Sequence, residues 1–216
     1  MITDERLVNY IHSLEPDRSE LLETMRAEAL AAEIPIIRDE TAALLKCFIR
    51  MLRPKRILEI GAAVGYSALC MEEAAEGQAE LLTVESYPPR IEAAKQNFAR
   101  SPYQKNITLV SGDAGALLRQ LVAEAQHFDF IFMDAAKAQY IVWLPDILHL
   151  MRPGSVLVSD NILQDGSIVE SRYQVERRDR TIHTRMREYL FRLKHEEQLE
   201  SAILPVGDGV SISVKK

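Results

Sequence analysis

The sequence predicts a doubly wound α/β fold, a Rossmann-like seven-stranded, mostly parallel sheet with helices on both faces. Three observations carry that expectation. Short apolar runs recur from Arg56 onward, helical segments separate them, and the chain closes on two strand-like runs joined by a glycine turn. Strands that alternate with helices form βαβ units, and their apolar runs are continuous because helices cover both faces of a parallel sheet.

The elements follow in order. Asp17 with Glu20 reads as a capping box after Pro16, opening a helix with apolar positions at Leu21, Leu22, Met25 and Ala29. A second helical pattern covers Thr41 to Leu52. Strand-like runs then occupy Arg56–Ile60, Glu80–Val84, Ile107–Val110, Phe128–Met133 and Ser155–Ser159. The last two, Ala202–Val206 and Val210–Val214, are separated only by Gly207-Asp208-Gly209. A turn that short cannot connect parallel neighbours, so an antiparallel hairpin is expected.

Bulk properties bound the possibilities. With 216 residues and 47% hydrophobic content, the chain supplies one sizeable core and is too short for two ordinary enzyme domains. A single domain is expected, with a helical extension over 1–52 and the α/β core over 53–216. The net charge of −6 gives no overall attraction for a polyanion, although a local basic strip is compatible with it. No run approaches the ~20 apolar residues of a membrane span, and the first residues lack a signal peptide's apolar stretch. A cytoplasmic protein without a membrane partner is the expectation. Cys47 and Cys70 both fall in apolar helical patterns and read as reduced core thiols.

Three successive strand ends suggest a nucleoside cleft. Glu59-Ile60-Gly61 runs through Ala62-Ala63-Val64 to Gly65-Tyr66-Ser67 and then into a helix. Glycines at 61 and 65 let the backbone approach a ligand, and the helix start with the Ser67 hydroxyl suits a carboxylate. Glu85, at the end of the next strand, can accept hydrogen bonds from both hydroxyls of a ribose. Asp113 and the Ala114 amide, after the third, suit an adenine amine and ring nitrogen. A nicotinamide-dependent, NAD-binding dehydrogenase would use the same arrangement, and an inert nucleotide- or RNA-binding module would bind without turnover.

A second constellation separates these readings. The fourth run ends in Asp134-Ala135-Ala136-Lys137 and the fifth in Asp160-Asn161. Carboxylates closing apolar strands are expensive to bury without a partner. Oxygen donors from Asp134, Asp160 and Asn161 suit Mg²⁺, with Mn²⁺ or Ca²⁺ as alternatives. Lys137, just beyond, suits a general base or a group that holds the attacking oxygen, and Tyr140, one turn on, faces the same side. Between Glu170 and Arg187 six arginines outnumber three carboxylates. Among them Arg177, Arg178 and Arg180 are candidate phosphate contacts, while a solvated helix face with internal ion pairs is the structural alternative.

Together these motifs, with Gly112-Asp113-Ala114, Ala138-Gln139-Tyr140 and Leu204 to Gly209, resemble the metal-dependent catechol and caffeoyl-CoA O-methyltransferase family. The resemblance spans nearly the whole chain. Its most specific parts are the runs Asp134 to Tyr140 and Pro205 to Gly209. It implies S-adenosyl-L-methionine over the first three strand ends, held by Glu59, Gly61, Gly65, Tyr66, Ser67, Glu85, Asp113, Ala114 and Asp134. It implies an ion on Asp134, Asp160 and Asn161, with Lys137 and Asp134 as the catalytic pair. Within the family the Ile34-Pro35-Ile36 segment, the Arg177 to Arg180 run and the length resemble a bacterial branch that methylates 5-hydroxyuridine at the tRNA wobble position. That branch implies a homodimer acting on the tRNA anticodon region. A small catechol-like or phenolic substrate is the alternative. Many relatives carry a tryptophan shortly after the Asp-Asn pair, whereas this chain has Ile162-Leu163-Gln164.

Overall fold

The computed structural model describes residues 3–216. Its contacts cluster into two compact units, Arg6–Ala114 and Gly115–Lys216 with the first few residues of the chain. The seven strands stand in the order β3-β2-β1-β4-β5-β7-β6. The α/β fold, with a mostly parallel sheet and an antiparallel C-terminal hairpin, is therefore the one expected.

In the unit Arg6–Ala114, three helices precede the first strand: α1 (Glu5–Ser13), α2 (Glu20–Ala31) and α3 (Asp39–Leu52). The α2 cap differs from the expected one. Ser19, not Asp17, occupies the cap, and its hydroxyl accepts from the Leu22 amide, because it stands directly before the first helical residue. On α3, Leu45 and Ile49 form the buried stripe, and Cys47 falls on the opposite face and is exposed. Only Cys70 is a core thiol. Strands β1 (Arg56–Ile60), β2 (Glu80–Glu85) and β3 (Ile107–Ser111) pair in parallel, connected by α4 (Tyr66–Ala75) and α5 (Pro88–Ala99).

The unit Gly115–Lys216 holds most of α6 (Ala114–Ala123), followed by β4 (Phe128–Met133), α7 (Tyr140–Leu150) and β5 (Met151–Ser159). After β5 the chain runs through a 3-10 segment, Gln164–Val169, into α8 (Arg180–His195), β6 (Leu199–Leu204) and β7 (Val210–Lys215). Phe130, Phe132, Val158 and Leu157 are buried on the strands, and Trp143, Tyr140 and Tyr189 pack among the helices. β4 and β5 are parallel, while β7 is antiparallel to both β5 and β6. β6 lies earlier than expected because Pro205, with no amide proton, ends the ladder, so Leu199 pairs with Lys215 and Leu204 with Val210. Ser159 at the end of β5 is in register with Ser211, so the turn before β7 sits at the end where β5 stops.

Candidate active site

In the unit Arg6–Ala114, the loop between β1 and α4 is fixed by its glycines. Gly61 and Gly65 have φ of 103° and 84°, in the region open to glycine. A Cβ at Gly65 would also overlap the Phe98 ring. Glu59 is wholly buried beneath this loop. It accepts hydrogen bonds from Ser67 Oγ at 2.5 Å and Thr83 Oγ1 at 2.6 Å, tying β1 to β2 and α4. The Ser67 hydroxyl expected to bind a ligand carboxylate thus points inward, with its proton directed to Glu59. Tyr66 is likewise buried, beside Arg18, Asp39 and Cys70, and burial raises its phenol pKa well above the usual value. Both side chains serve packing, because α4 must be held close over β1 and β2. What α4 offers a ligand at this end is its backbone amides.

Glu85, at the end of β2, is fixed by backbone donors. Its carboxylate accepts from the amides of Ala63 at 3.0 Å, Ser86 at 2.8 Å and Tyr87 at 2.9 Å. Three donors fix one rotamer while a carboxylate has about four acceptor positions, leaving capacity for a hydroxyl. Gly112 donates to the Glu85 carbonyl at 2.9 Å, which sets the adjoining turn, where Asp113 is exposed and Ala114 opens α6.

In the unit Gly115–Lys216, the ends of β4 and β5 and the β6–β7 turn build a charged corner. Lys137 Nζ donates to Asp134 Oδ1 and to Asn161 Oδ1, each at 2.6 Å, and to the Tyr140 hydroxyl at 3.1 Å. Tyr140 is fully buried; its hydroxyl also donates to the Met133 carbonyl at 3.1 Å and accepts from the Ala135 amide at 3.2 Å. Tyr140 is therefore a strut beneath Lys137 and not a surface that meets substrate. Asp160 is 2% exposed. Burial first, and then the charge of Asp134, push its pKa up to about 7. Asn161 adopts a left-handed φ of 57°, a conformation asparagine tolerates, and its amide donates to Asp160 Oδ1 at 2.9 Å. Its Nδ2 donates to Asp208 Oδ2 at 2.8 Å.

Asp208 did not stand out from sequence as a site residue. The available signal was an acidic side chain between two glycines at a hairpin turn, at the same end as Asp134 and Asp160. Among the described residues no three His, Cys, Asp or Glu side chains cluster as a metal cage; the corner combines carboxylates with an amide oxygen. The six-arginine face resolves into two groups. Arg180, Arg185 and Arg187 donate to the backbone carbonyls of Val175, Ala138 and Ile168. Arg172, Arg177 and Arg178 lie exposed, Arg178 beside Glu176 and Asp179. Tyr173, 85% exposed, stands among them.

A family model described as O-methyltransferase matches residues 12–216. The chain belongs to this O-methyltransferase family. A catechol O-methyltransferase of Niastella koreensis is 35% identical over 127 residues, a match that spans 58% of each protein. The O-methyltransferase ankF of Aspergillus thermomutatus is 31% identical over 176 residues, covering 74% of this chain and 70% of that one. The structure of an O-methyltransferase from Bacillus cereus in complex with SAH superposes over 100% of both chains with a TM-score of 0.87 at 23% identity, a likeness of fold. The enzyme class is O-methyl transfer. Membership in this family sets aside the dehydrogenase and inert-module readings. No helix among the described residues is long and apolar enough to cross a membrane.

Proposed function

We propose that the chain methylates a hydroxyl that has a second oxygen beside it, with a divalent cation, Mg²⁺ first, held by Asp134, Asp160 and Asn161. The observation that carries this reading is the convergence of Asp134 Oδ1 and Asn161 Oδ1 on one positive centre, the Lys137 ammonium. Their oxygens are hard donors suited to Mg²⁺, and the buried Asp160 carboxylate stands directly beside Asn161 at the same strand end. The residues therefore fit an ion, provided that Lys137 swings aside on its flexible stem. A bound cation would supply the positive charge that favours ionisation of the substrate hydroxyl, and S-adenosylmethionine would supply the methyl group.

The chain's own residues account for the rest. Asp134, Asp160 and Asn161 orient the two substrate oxygens. Lys137 takes the hydroxyl proton or holds the resulting anion, with the Tyr140 hydroxyl beneath its amine. Glu85 holds the ribose, Asp113 and the Ala114 amide the adenine, and the α4 amides the carboxylate of the methionine part. Most of the acceleration comes from positioning and electrostatics. Asp134→Ala should abolish turnover and leave S-adenosylmethionine affinity largely intact by calorimetry. Full activity in that variant, or in excess chelator, refutes the reading.

For the substrate we infer 5-hydroxyuridine at the tRNA wobble position, in the cytoplasm. Its hydroxyl and adjoining carbonyl offer paired oxygens, and exposed Arg172, Arg177 and Arg178 with Tyr173 between them suit phosphates and a stacked base. The second reading is a small catechol, favoured by the name of the N. koreensis relative. Arg177→Glu with Arg178→Glu should impair methylation of tRNA and leave a catechol's rate unchanged. Equal rates on tRNA support the catechol. A homodimer is inferred from α1, which buries no residue and exposes Leu7, Tyr10 and Ile11, with exposed Leu14 just beyond it; the solution mass tests it.

A further inference from the structure

We infer that Asp208 is a positioning residue that decides which end of the Asn161 amide faces the cation, an inference that rests on the metal reading above. The two ends of an asparagine side chain are nearly equal in size and opposite in polarity. One is an oxygen that attracts a cation, the other an NH₂ that repels it. Nothing in the shape of Asn161 selects between them. Its partners do: Nδ2 donates to Asp208 Oδ2 at 2.8 Å, and Oδ1 is left to the Lys137 ammonium at 2.6 Å. An inverted amide would set its oxygen against the Asp208 carboxylate and its NH₂ against a cation, so both contacts would become repulsive.

The backbone that carries the Asp208 side chain is itself fixed. The Leu163 amide donates to the Asp208 carbonyl at 3.0 Å, and the Ile162 amide donates to the Gly209 carbonyl at 2.9 Å. Gly209 has a φ of 95°, and a Cβ there would overlap the Leu163 side chain. The β6–β7 turn is thus docked against the residues that follow Asn161, which sets Asp208 opposite the amide. Residues that orient a ligand from behind typically account for about 10–100-fold in metal affinity.

The test is titration of cofactor-free enzyme with Mn²⁺ alone, by calorimetry, in wild type and variants. Asp208→Ala should weaken Mn²⁺ about 10–100-fold. Asp208→Asn keeps an acceptor oxygen for Asn161 Nδ2 and should restore most of that affinity. The exchanged pair, Asn161→Asp with Asp208→Asn, keeps one donor facing one acceptor and the same total charge. It should bind Mn²⁺ about as tightly as wild type, because an NH₂ at 208 still faces an oxygen at 161 and an oxygen still faces the ion. Thermal unfolding checks that each variant is folded, and the exchanged pair answers the question if Asp208→Ala does not fold. Affinity that falls as far in Asp208→Asn as in Asp208→Ala, or falls as far in the exchanged pair, overturns the positioning role while leaving the metal site standing. No Mn²⁺ binding by the wild type overturns the metal reading and this inference with it.

Discussion

At the scale of single residues, the notable fact is that one lysine serves as the local counter-ion. Lys137 lies against Asp134, Asn161 and Tyr140, and a divalent ion on the same oxygens must displace its amine. Lys137→Met should therefore raise Mn²⁺ affinity in calorimetry while lowering turnover about 10²–10⁴-fold, the range typical of a lost proton-transfer group. Unchanged or weaker Mn²⁺ binding in that variant would mean that amine and ion do not compete. The positions of Asp134, Asp160 and Asn161 at two strand ends were legible in sequence because they come straight after β4 and β5, while Lys137 lies in the turn three residues past Asp134. The opposite outcome at Ser67 and Tyr66 has an equally simple cause. Their polar ends look ligand-directed in a glycine-loop motif, but helical geometry turns Ser67 to Glu59 and Tyr66 toward Arg18 and Cys70. A sequence gives the position of a hydroxyl on a helix, not the buried carboxylate that will take its proton.

At the scale of elements, strands that are continuous apolar runs, such as Phe128–Met133, were found within a residue or so of their limits. β5 begins earlier than its sequence suggests, since Arg152-Pro153-Gly154 carries the chemistry of a turn while belonging to the strand. Gly65 is where the β1–α4 connection is most constrained. Gly65→Ala meets both the left-handed φ and the Phe98 ring, and should cost about 1–3 kcal/mol in denaturant unfolding, with weaker S-adenosylmethionine binding. Wild-type stability in that variant would show that the loop readily takes another path. The arginine segment shows a limit of charge counting. Six cations in one stretch suggested one phosphate-binding face, but carbonyls at the ends of neighbouring turns take three of them.

At the scale of the whole molecule, stability should carry a pH signature from Glu72. This carboxyl is fully buried on α4, neither oxygen has a hydrogen-bond partner among the described residues, and burial pushes its pKa up from 4.5 to about 7. A carboxyl whose pKa is raised by folding favours the folded state below the unfolded pKa, and that advantage is lost as pH rises through the folded value. Glu72→Gln, which imitates the neutral acid, should melt close to wild type near pH 4.5 and above it at pH 8. A constant difference across that range would show that Glu72 does not titrate in this window. At this scale the family was legible from the joint order of strand ends, while Asp208 was not, because its role depends on which strand its hairpin joins. That hairpin also orders events during synthesis. In the sheet β7 lies between β5 and β6 although it follows both in the chain, so those two strands leave a slot that only β7 fills. The corner that gathers Asp134, Asn161 and Asp208 therefore closes only once β7 has been made and inserted, after Glu85 and Asp113 have emerged.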